Sequence, residues 1–178
     1  MKLLGVNGTL TGSKTLVIMN RLLNEVRKAD PGLEVELLDL KKYDIQFCDG
    51  RPLEQYNEDT QKVVNLASSA DAYIIGTPIF QGSITGALKN WIDLIPPPVF
   101  RNKVMGFFAT GGTHQHYLVI ENQLKPIAGY FRAYVAPGYV YAQTDDFNEK
   151  NEIANLEIEE RIANLAQEVT RMTKLLRA

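Results

Sequence analysis

The stretch LLGVNGTLTGSKTL, residues 3–16, runs from an apolar strand candidate through a loop of glycine and hydroxyl residues into the start of a helix. Ser13 is the expected N-cap of that helix, because a serine side chain can accept a hydrogen bond from an N–H group of the first turn. A buried strand, a glycine-containing loop and a helix in this order are typical of the first unit of a parallel α/β sheet.

The strand of this unit is the first of five strand candidates. Four of them are near-continuous apolar runs, as expected for strands that helices cover on both faces. The fifth contains Pro137 and Gly138, which favours an edge strand with a break in its pairing. The candidates are Leu3–Val6, Val35–Leu40, Ala72–Thr77, Val104–Thr110 and roughly Tyr134–Ala142.

Amphipathic helix candidates alternate with these strands. They run from Ser13 to about Lys28, over Asp59–Ser69, over Ser83–Ile95, from Thr113 to about Pro126, and through a last segment that contains Ile158 and Leu176. This alternation predicts an α/β fold, a three-layer sandwich with a five-stranded parallel sheet. Five strands favour the flavodoxin-like order 2-1-3-4-5 over the six-stranded dinucleotide-binding fold. We expect residues 1–178 to form a single domain.

The composition is that of an ordinary globular chain, with 45% hydrophobic and 22% charged residues. A net charge of -2, from 19 basic and 21 acidic residues, argues against a nucleic-acid partner. Cys48 is the only cysteine, so an internal disulfide and a thiolate metal cluster are excluded, and we expect no metal site. The apolar start LLGV is too short for a signal peptide or a membrane span. A reducing cytoplasm is the expected compartment, with no membrane partner.

Three loops, which follow strands 1, 3 and 4, are rich in glycine and hydroxyl side chains. They read NGTLTGSKT (7–15), TPIFQGSITGALKNWID (77–93) and TGGTHQH (110–116). In an open parallel sheet, ligands bind beyond the carboxyl ends of the strands, at the point where the strand order reverses. Because these strands are neighbours in the order 2-1-3-4-5, we expect the three loops to form one ligand site.

The first loop is close to the nucleotide P-loop G-x-x-x-x-G-K-[ST], but Ser13 stands where the second glycine belongs. A P-loop enzyme also needs a magnesium-binding acid at a neighbouring strand end, and neither IIGTP nor FFATGG supplies one. The helix dipole, the backbone N–H groups and the hydroxyls of Thr9, Thr11, Ser13 and Thr15 can instead hold a single phosphate. In the alternative interpretation, Ser13 is only a helix cap and the glycines only form turns.

A dinucleotide is also disfavoured, because glycines at positions 5, 8 and 12 do not match G-x-G-x-x-G. Without that fingerprint, Asp39 at the end of strand 2 is expected to be a solvated carboxylate rather than a ribose ligand. The remaining monophosphate candidate is flavin mononucleotide (FMN), whose ring needs apolar contact on its face and backbone groups along its pyrimidine edge.

The second and third loops offer those groups. Pro78, Ile79, Phe80 and Gln81 can supply a wall and main-chain contacts, and Gly82 can turn the chain back before Ser83 caps the next helix. Gly111 and Gly112 allow the backbone to approach the far edge of the ring. For Phe80, ordinary core or interface packing is the alternative interpretation.

Three segments carry a resemblance to a known family that covers nearly the whole chain. They are TPIFQGSITGALKNWIDLIP (77–96), KVMGFFATGGT (103–113) and QLKPI (123–127). In these segments the chain resembles the NAD(P)H-dependent FMN reductases, which are flavodoxin-like proteins. Within that family it is most similar to the reductases that supply reduced FMN to alkanesulfonate monooxygenases.

The resemblance implies an oxidoreductase that passes hydride from NAD(P)H to FMN without a catalytic side chain. It also implies a homodimer or homotetramer, small-molecule flavin and nicotinamide substrates, and a flavin-dependent monooxygenase as the candidate partner. His114 can reach the flavin or the nicotinamide, or it is a surface residue. The candidate cofactor-binding residues are Thr9, Thr11, Ser13, Lys14, Thr15, Pro78, Ile79, Phe80, Gln81, Gly82, Thr110, Gly111, Gly112, Thr113 and His114.

The chain departs from the family pattern at two places. Thr11 stands about where members carry an arginine, whose charge Lys14 can replace. Asn122 stands where the sulfonate-linked branch has a tyrosine, which is associated with a π-helix and with flavin transfer between subunits. Its absence favours a member that keeps FMN bound and reduces quinones, chromate or azo dyes. Two further candidate functions are a flavodoxin-type electron carrier and a scaffold that has lost its flavin.

Two further segments are candidates for contacts between subunits. Tyr43–Asn57, a long connection with aromatic and charged residues, is a candidate lid or interface segment. The apolar face of Ser83–Ile95, which includes Trp91, is compatible with either an interface or the core.

Overall fold

The protein is built around one parallel sheet of five strands. The computed structural model describes residues 1–177, with side chains through residue 176. The strands are β1 (Lys2–Asn7), β2 (Glu34–Asp39), β3 (Ala72–Pro78), β4 (Val104–Gly111) and β5 (Tyr134–Gln143). Their order in the sheet is β2-β1-β3-β4-β5, and every neighbouring pair is parallel. The predicted α/β fold and its strand order are confirmed.

Helices cover both faces of this sheet. They are α1 (Lys14–Ala29), α2 (Glu58–Ser69), α3 (Gly86–Leu94), α4 (Lys125–Tyr130) and α5 (Leu156–Arg177). Buried side chains of α1 and α5 form one apolar core with the sheet, and those of α2, α3 and α4 form a second core on the opposite face. The result is the three-layer sandwich that the sequence pattern predicts.

The apolar runs of the strands supply both cores at once. Leu3 and Leu4 are each fully buried, but Leu3 lies in the core under α1 and α5 whereas Leu4 lies in the other. Successive side chains of a strand point to opposite faces of a sheet, so a strand covered on both sides needs a continuous apolar run. Trp91 is also fully buried and packs beside Phe100, with ring centroids 5.8 Å apart, so it belongs to the core within the chain.

The fifth strand lies at the sheet edge and its pairing is irregular, as its proline and glycine predict. Its register against β4 shifts between Met105 and Phe107, which face Val135 and Tyr139. Pro137 lacks the N–H group that regular pairing requires, so the pairing is interrupted at this point of the strand.

The segment after β4 differs from the single helix predicted from Thr113 to about Pro126. A short 3₁₀ turn covers His114–Tyr117, a π-helix covers Ile120–Leu124, and α4 then continues past the proline to Tyr130. Pro126 lies in the first turn of α4, which continues directly from the π-helix, so its missing N–H group falls near the junction of the two. The proline therefore does not end the helical segment.

The start of the helix after β3 also differs from the prediction. Ser83 does not cap it; Thr85 is the N-cap, and its hydroxyl oxygen accepts a hydrogen bond from the Leu88 N–H at 3.0 Å. Ser83 belongs instead to a tight turn that precedes the helix, described below.

The long connection after β2 is fastened to α3. Asn90 accepts a hydrogen bond from the Cys48 N–H at 2.8 Å and donates one to the Gln46 carbonyl at 3.0 Å. The Phe47 side chain between them is exposed.

Among the helices of residues 1–177, none has both the length and the apolar character needed to cross a membrane.

Candidate functional site

The loop after β1 has its own hydrogen bonds, which leave the first turn of α1 open. The Thr9 hydroxyl donates to the Thr11 carbonyl at 2.7 Å and accepts from the Thr11 N–H at 3.2 Å. The Ser13 side chain makes no capping hydrogen bond, although Ser13 is the N-cap. Its hydroxyl is therefore available to a ligand, and the interpretation of Ser13 as merely a helix cap loses its structural basis.

The first turn of α1 presents several hydrogen-bond donors. The first helical hydrogen bond runs from the Val17 N–H to the Ser13 carbonyl at 2.9 Å, so the N–H groups of Lys14, Thr15 and Leu16 precede the helical ladder. These groups carry the positive end of the helix dipole, which favours an anion.

Two adjoining cavities lie at the carboxyl ends of β1, β3 and β4. The first, about 360 Å³, is bounded by the α1 turn, β3 and β4, and the second, about 230 Å³, extends towards the end of β5. Lys14, Pro78, Phe80 and Thr110 line both cavities. The Thr15 and Thr110 hydroxyl oxygens lie 3.0 Å apart at this junction.

The loop after β3 forms a tight hairpin beside these cavities. The N–H of Phe80 donates to the Ser83 carbonyl at 3.0 Å, and the N–H of Ser83 donates back to the Phe80 carbonyl at 3.1 Å. Gln81 and Gly82 between them both have positive φ, 50° and 75°, the pattern of a type I′ turn. The hairpin leaves the Phe80 ring 48% exposed at the cavity, where ordinary core packing would have buried it.

The loop after β4 is hydrogen-bonded to a side chain of β5. The Tyr141 hydroxyl donates a short hydrogen bond to the Thr113 carbonyl. A Cβ atom at Gly111 would lie 2.4 Å from that hydroxyl oxygen, so glycine is needed for the close approach. A Cβ atom at Gly112 would meet open space, on the side where the second cavity lies.

The structure brings most of the predicted site residues together. The two cavities are lined by Thr11, Ser13, Lys14, Thr15, Pro78, Ile79, Phe80, Thr110, Gly111 and Gly112. Thr9 is buried and shapes the first loop from within, while Gln81 and Gly82 form the exposed tip of the hairpin. Thr113 contributes its carbonyl to Tyr141 and does not line either cavity.

His114 lies in a separate, neighbouring cavity of about 460 Å³. That cavity is lined with tyrosines, and the Tyr117 and Tyr139 rings are stacked with centroids 6.4 Å apart. Burial raises the pKa of Tyr141, and the nearby Asp146 carboxylate raises this pKa further. Gln143 lines both this cavity and the one beside Gly112.

Sequence reasoning missed five residues that line the cavities, of which Gly12 lies in the first loop and Ala142 in β5. Asn151 lines the first cavity from a turn in which its φ is 59°, and Gln143 and Thr144 line the second. These three lie at or beyond the end of β5, a strand whose end carried no glycine-rich loop. An asparagine in a polar turn was the only signal in the sequence, since asparagine tolerates positive φ.

Asp39 is not the solvated carboxylate that the sequence suggested. It is 5% exposed, and one of its oxygens accepts a hydrogen bond from the Asn7 side-chain amide at 2.9 Å. Asn7 and Asp39 are register partners on β1 and β2, so the pairing of the strands brings the amide to the carboxylate. The pair lies behind the first loop and supports it.

The groups in the first cavity fit the phosphate of FMN. The N–H groups of the α1 turn, the Ser13 hydroxyl and the Lys14 ammonium are donors or cations, and no carboxylate lines this cavity among residues 1–177. The Lys14 nitrogen lies 5.3 Å from the centroid of the Phe147 ring, which holds it at the edge of the site. Pro78, Ile79 and Phe80 then provide apolar surface for a ring in the second cavity.

Comparison with known proteins identifies the family of the chain. The family model described as NADPH-dependent FMN reductase matches residues 1–146, which contain all three loops. The chain belongs to the NADPH-dependent FMN reductase family. The predicted family, enzyme class and cofactors, FMN and NAD(P)H, are thereby confirmed.

Individual relatives support the same assignment of the FMN reductase family. The chain is 63% identical to an NAD(P)H-dependent FAD/FMN reductase of Geobacillus thermodenitrificans, over 97% of this chain and 93% of the relative. It is 34% identical to an FMN reductase (NADPH) of Pseudomonas aeruginosa, over 79% and 75%. A solved oxidoreductase structure from Corynebacterium diphtheriae shares the fold, with a TM-score of 0.77, 23% identity and coverage of 98% and 97%.

Proposed function

We propose that this reductase holds FMN with its phosphate at the first turn of α1 and its ring between the Phe80–Ser83 hairpin and the Gly111–Gly112 backbone. The observation that carries the proposal is that the two cavities meet at Lys14, Pro78, Phe80 and Thr110. The anion site of the first cavity is thereby joined to the second cavity, which is the slot for the ring. When bound, FMN supplies the hydride-accepting chemistry.

The protein's own groups then act by binding and orientation. The N–H groups of the α1 turn and the hydroxyls of Ser13 and Thr15 bind the phosphate, and Lys14 adds a positive charge. Pro78 and Phe80 exclude water from part of the ring, and the Gly112 backbone leaves room for its far edge. Substrate binding in a fixed orientation accounts for the activity without a side-chain acid, base or nucleophile.

The solvent-exposed part of the site is where a nicotinamide or an electron acceptor can approach. Phe80 is half exposed at the cavity, so a nicotinamide ring or a small acceptor can reach the slot from solvent. A π-helix is present at Ile120–Leu124 even though position 122 is asparagine, which supports the transfer of reduced flavin to a monooxygenase. Reduction of quinones, chromate or azo dyes by retained FMN is the alternative.

We infer that the chain acts as a single FMN-binding domain in the cytoplasm, as a homodimer or homotetramer. Three exposed apolar side chains, Leu10 in the first loop, Phe80 in the second and Leu118 just after the third, support an assembly in which neighbouring subunits cover part of the pocket.

Anaerobic stopped-flow measurement of the FMN-loaded protein tests the function. Mixing with NADH or NADPH is expected to bleach the flavin absorbance, and subsequent addition of free FMN, quinone or ferricyanide identifies the acceptor. Failure of both nicotinamides to reduce the bound flavin would contradict the reductase function and favour an electron carrier. A protein that cannot be loaded with FMN at all would favour a scaffold that has lost its flavin.

A further inference from the structure

The Phe80–Ser83 hairpin is a strained element that carries apolar surface. Gln81 has φ of 50°, a conformation that residues other than glycine adopt uncommonly, and the turn stands exposed beyond the carboxyl end of β3. Its base is fastened, because the Ile79 N–H donates to the Thr110 carbonyl at 2.8 Å. The tip needs a separate tie if Phe80 is to keep one position beside the cavities.

A side chain of the π-helix provides a tie to that tip. The Ser83 hydroxyl donates to the side-chain carbonyl of Gln123 at 2.7 Å, and the Gln123 side-chain amide donates to the Gly82 carbonyl at 3.4 Å. One glutamine thus contacts the last two residues of the turn. Ser83 and Gln123 are 40 positions apart in the chain, so their hydrogen bond links two separate elements, the hairpin and the π-helix.

The π-helix holds Gln123 in a fixed position. Ile120 and Leu124, at its two ends, are buried in the core beneath it, and α4 continues directly from it. A π-helix contains one residue more per turn than the α-helix that flanks it, so it alters which side chains face a neighbouring loop. Asn122, the preceding residue, is exposed and gives a matched comparison within the same turn.

We propose that Gln123 is a positioning residue that holds the Phe80–Ser83 hairpin in the conformation that binds FMN. The proposal deepens the proposed function and rests on it, because it assumes that Phe80 lies against the flavin. The π-helix then contributes to the flavin site, because its Gln123 side chain holds the hairpin that carries Phe80.

Two readouts test the role of Gln123. Hydrogen exchange of the Phe80 and Ser83 amides in the FMN-free protein reports on the hairpin itself, and FMN titration reports on binding. Gln123→Ala and Ser83→Ala are each expected to speed that exchange and to weaken FMN binding by about fivefold, the effect of losing one hydrogen bond of ordinary net strength. Asn122→Ala is expected to change neither readout.

A double-mutant cycle separates a direct tie from general loosening. If Gln123 acts through Ser83, the double variant is expected to bind FMN no more weakly than the weaker of the two single variants. Additive losses from the two substitutions would overturn the tie between these residues. Thermal unfolding of each variant identifies any global loss of stability, which a local positioning role does not predict.

The outcomes distinguish this inference from the proposed function. If the unaltered protein binds FMN and the Gln123→Ala variant binds it equally well, the positioning role is wrong and the reductase site stands. If the unaltered protein does not bind FMN, the proposed function fails and the inference fails with it.

Discussion

The hydroxyl oxygens of Thr15 and Thr110 lie 3.0 Å apart, and this contact joins the first turn of α1 to the end of β4. Both residues are buried, yet both line the first cavity. The hydrogen bond therefore fixes the distance between the phosphate end of the site and the slot for the ring. Two elements that are far apart in the chain meet here because β1, β3 and β4 are neighbours in the sheet.

Replacing Thr110 by valine removes this hydrogen bond while nearly preserving side-chain volume. We expect the free energy of unfolding to fall by about 1 kcal/mol, because the Thr15 hydroxyl loses a buried partner. FMN binding should also weaken. Chemical denaturation and FMN titration measure the two effects.

Thr170→Val is the matched control for that substitution. Thr170 is buried in α5 and donates to the Ala166 carbonyl at 2.7 Å, far in the fold from the cavities. Because the Ala166 carbonyl keeps its helical hydrogen bond, the loss of stability should be smaller, with FMN affinity unchanged. Equal effects of both variants on FMN affinity would contradict a specific role for Thr110.

The adjacent glycines at the end of β4, Gly111 and Gly112, are expected to respond differently to replacement by alanine. In Gly111→Ala the new Cβ atom would lie 2.4 Å from the Tyr141 hydroxyl oxygen, so we expect a loss of about 1–3 kcal/mol in stability from overpacking. In Gly112→Ala the new methyl group meets open space, so stability should hold while the methyl group narrows the slot and weakens FMN binding. Thermal unfolding and FMN titration separate the two outcomes.

Removal of the Tyr141 hydroxyl tests the cause of the Gly111 effect. Combining Gly111→Ala with Tyr141→Phe should recover part of the lost stability, since the clashing atom is gone. The recovery should be incomplete because Tyr141 also donates to the Thr113 carbonyl. A double variant as unstable as the sum of the two single variants would refute the proposed clash.

Much of this architecture was predictable because it depends on patterns that are local in the chain. The apolar runs predicted strands covered on both faces, and the alternation of Leu3 and Leu4 between two cores shows why those runs are continuous. The glycine and hydroxyl loops marked the cavities because adjacent parallel strands end at one edge of the sheet.

The features that sequence reasoning missed all depend on contacts between distant segments. Ser83 has the composition of a helix cap, but it is drawn into a hairpin and bonded to Gln123, and Thr85 caps the helix instead. Asp39 is buried because strand pairing places it beside Asn7. Asn151 reaches the first cavity from a turn after β5, and no local signal identifies the loop it approaches.

The raised pKa of Tyr141 predicts a pH dependence of stability. Burial, followed by the charge of Asp146, raises that pKa, so the folded protein holds the phenolic proton more tightly than the unfolded chain does. Stability from this group is complete below about pH 10, the ordinary tyrosine value, and falls as the pH rises towards the folded pKa. Tyr141→Phe should flatten the decline in denaturation measurements made from neutral to alkaline pH.

Tyrosinate absorbance provides an independent check on this residue. The folded protein should show a tyrosine that ionises later than an unperturbed one, and the Tyr141→Phe variant should lose that component or leave only the one from Tyr139, whose pKa burial also raises. If the variant loses only absorbance that titrates at the ordinary tyrosine pKa, the pKa of Tyr141 is not raised.

The first turn of α1 is the phosphate site in the FMN-binding mode that we propose. Comparing the affinities of FMN and riboflavin tests it directly, because riboflavin has the same ring and lacks the phosphate. The unaltered protein should bind FMN more tightly than riboflavin. In the Ser13→Ala, Thr15→Ala double variant, FMN affinity should fall towards that of riboflavin while riboflavin affinity stays the same. An equal loss for both ligands, or no loss for FMN, would show that the phosphate does not bind at the first turn of α1.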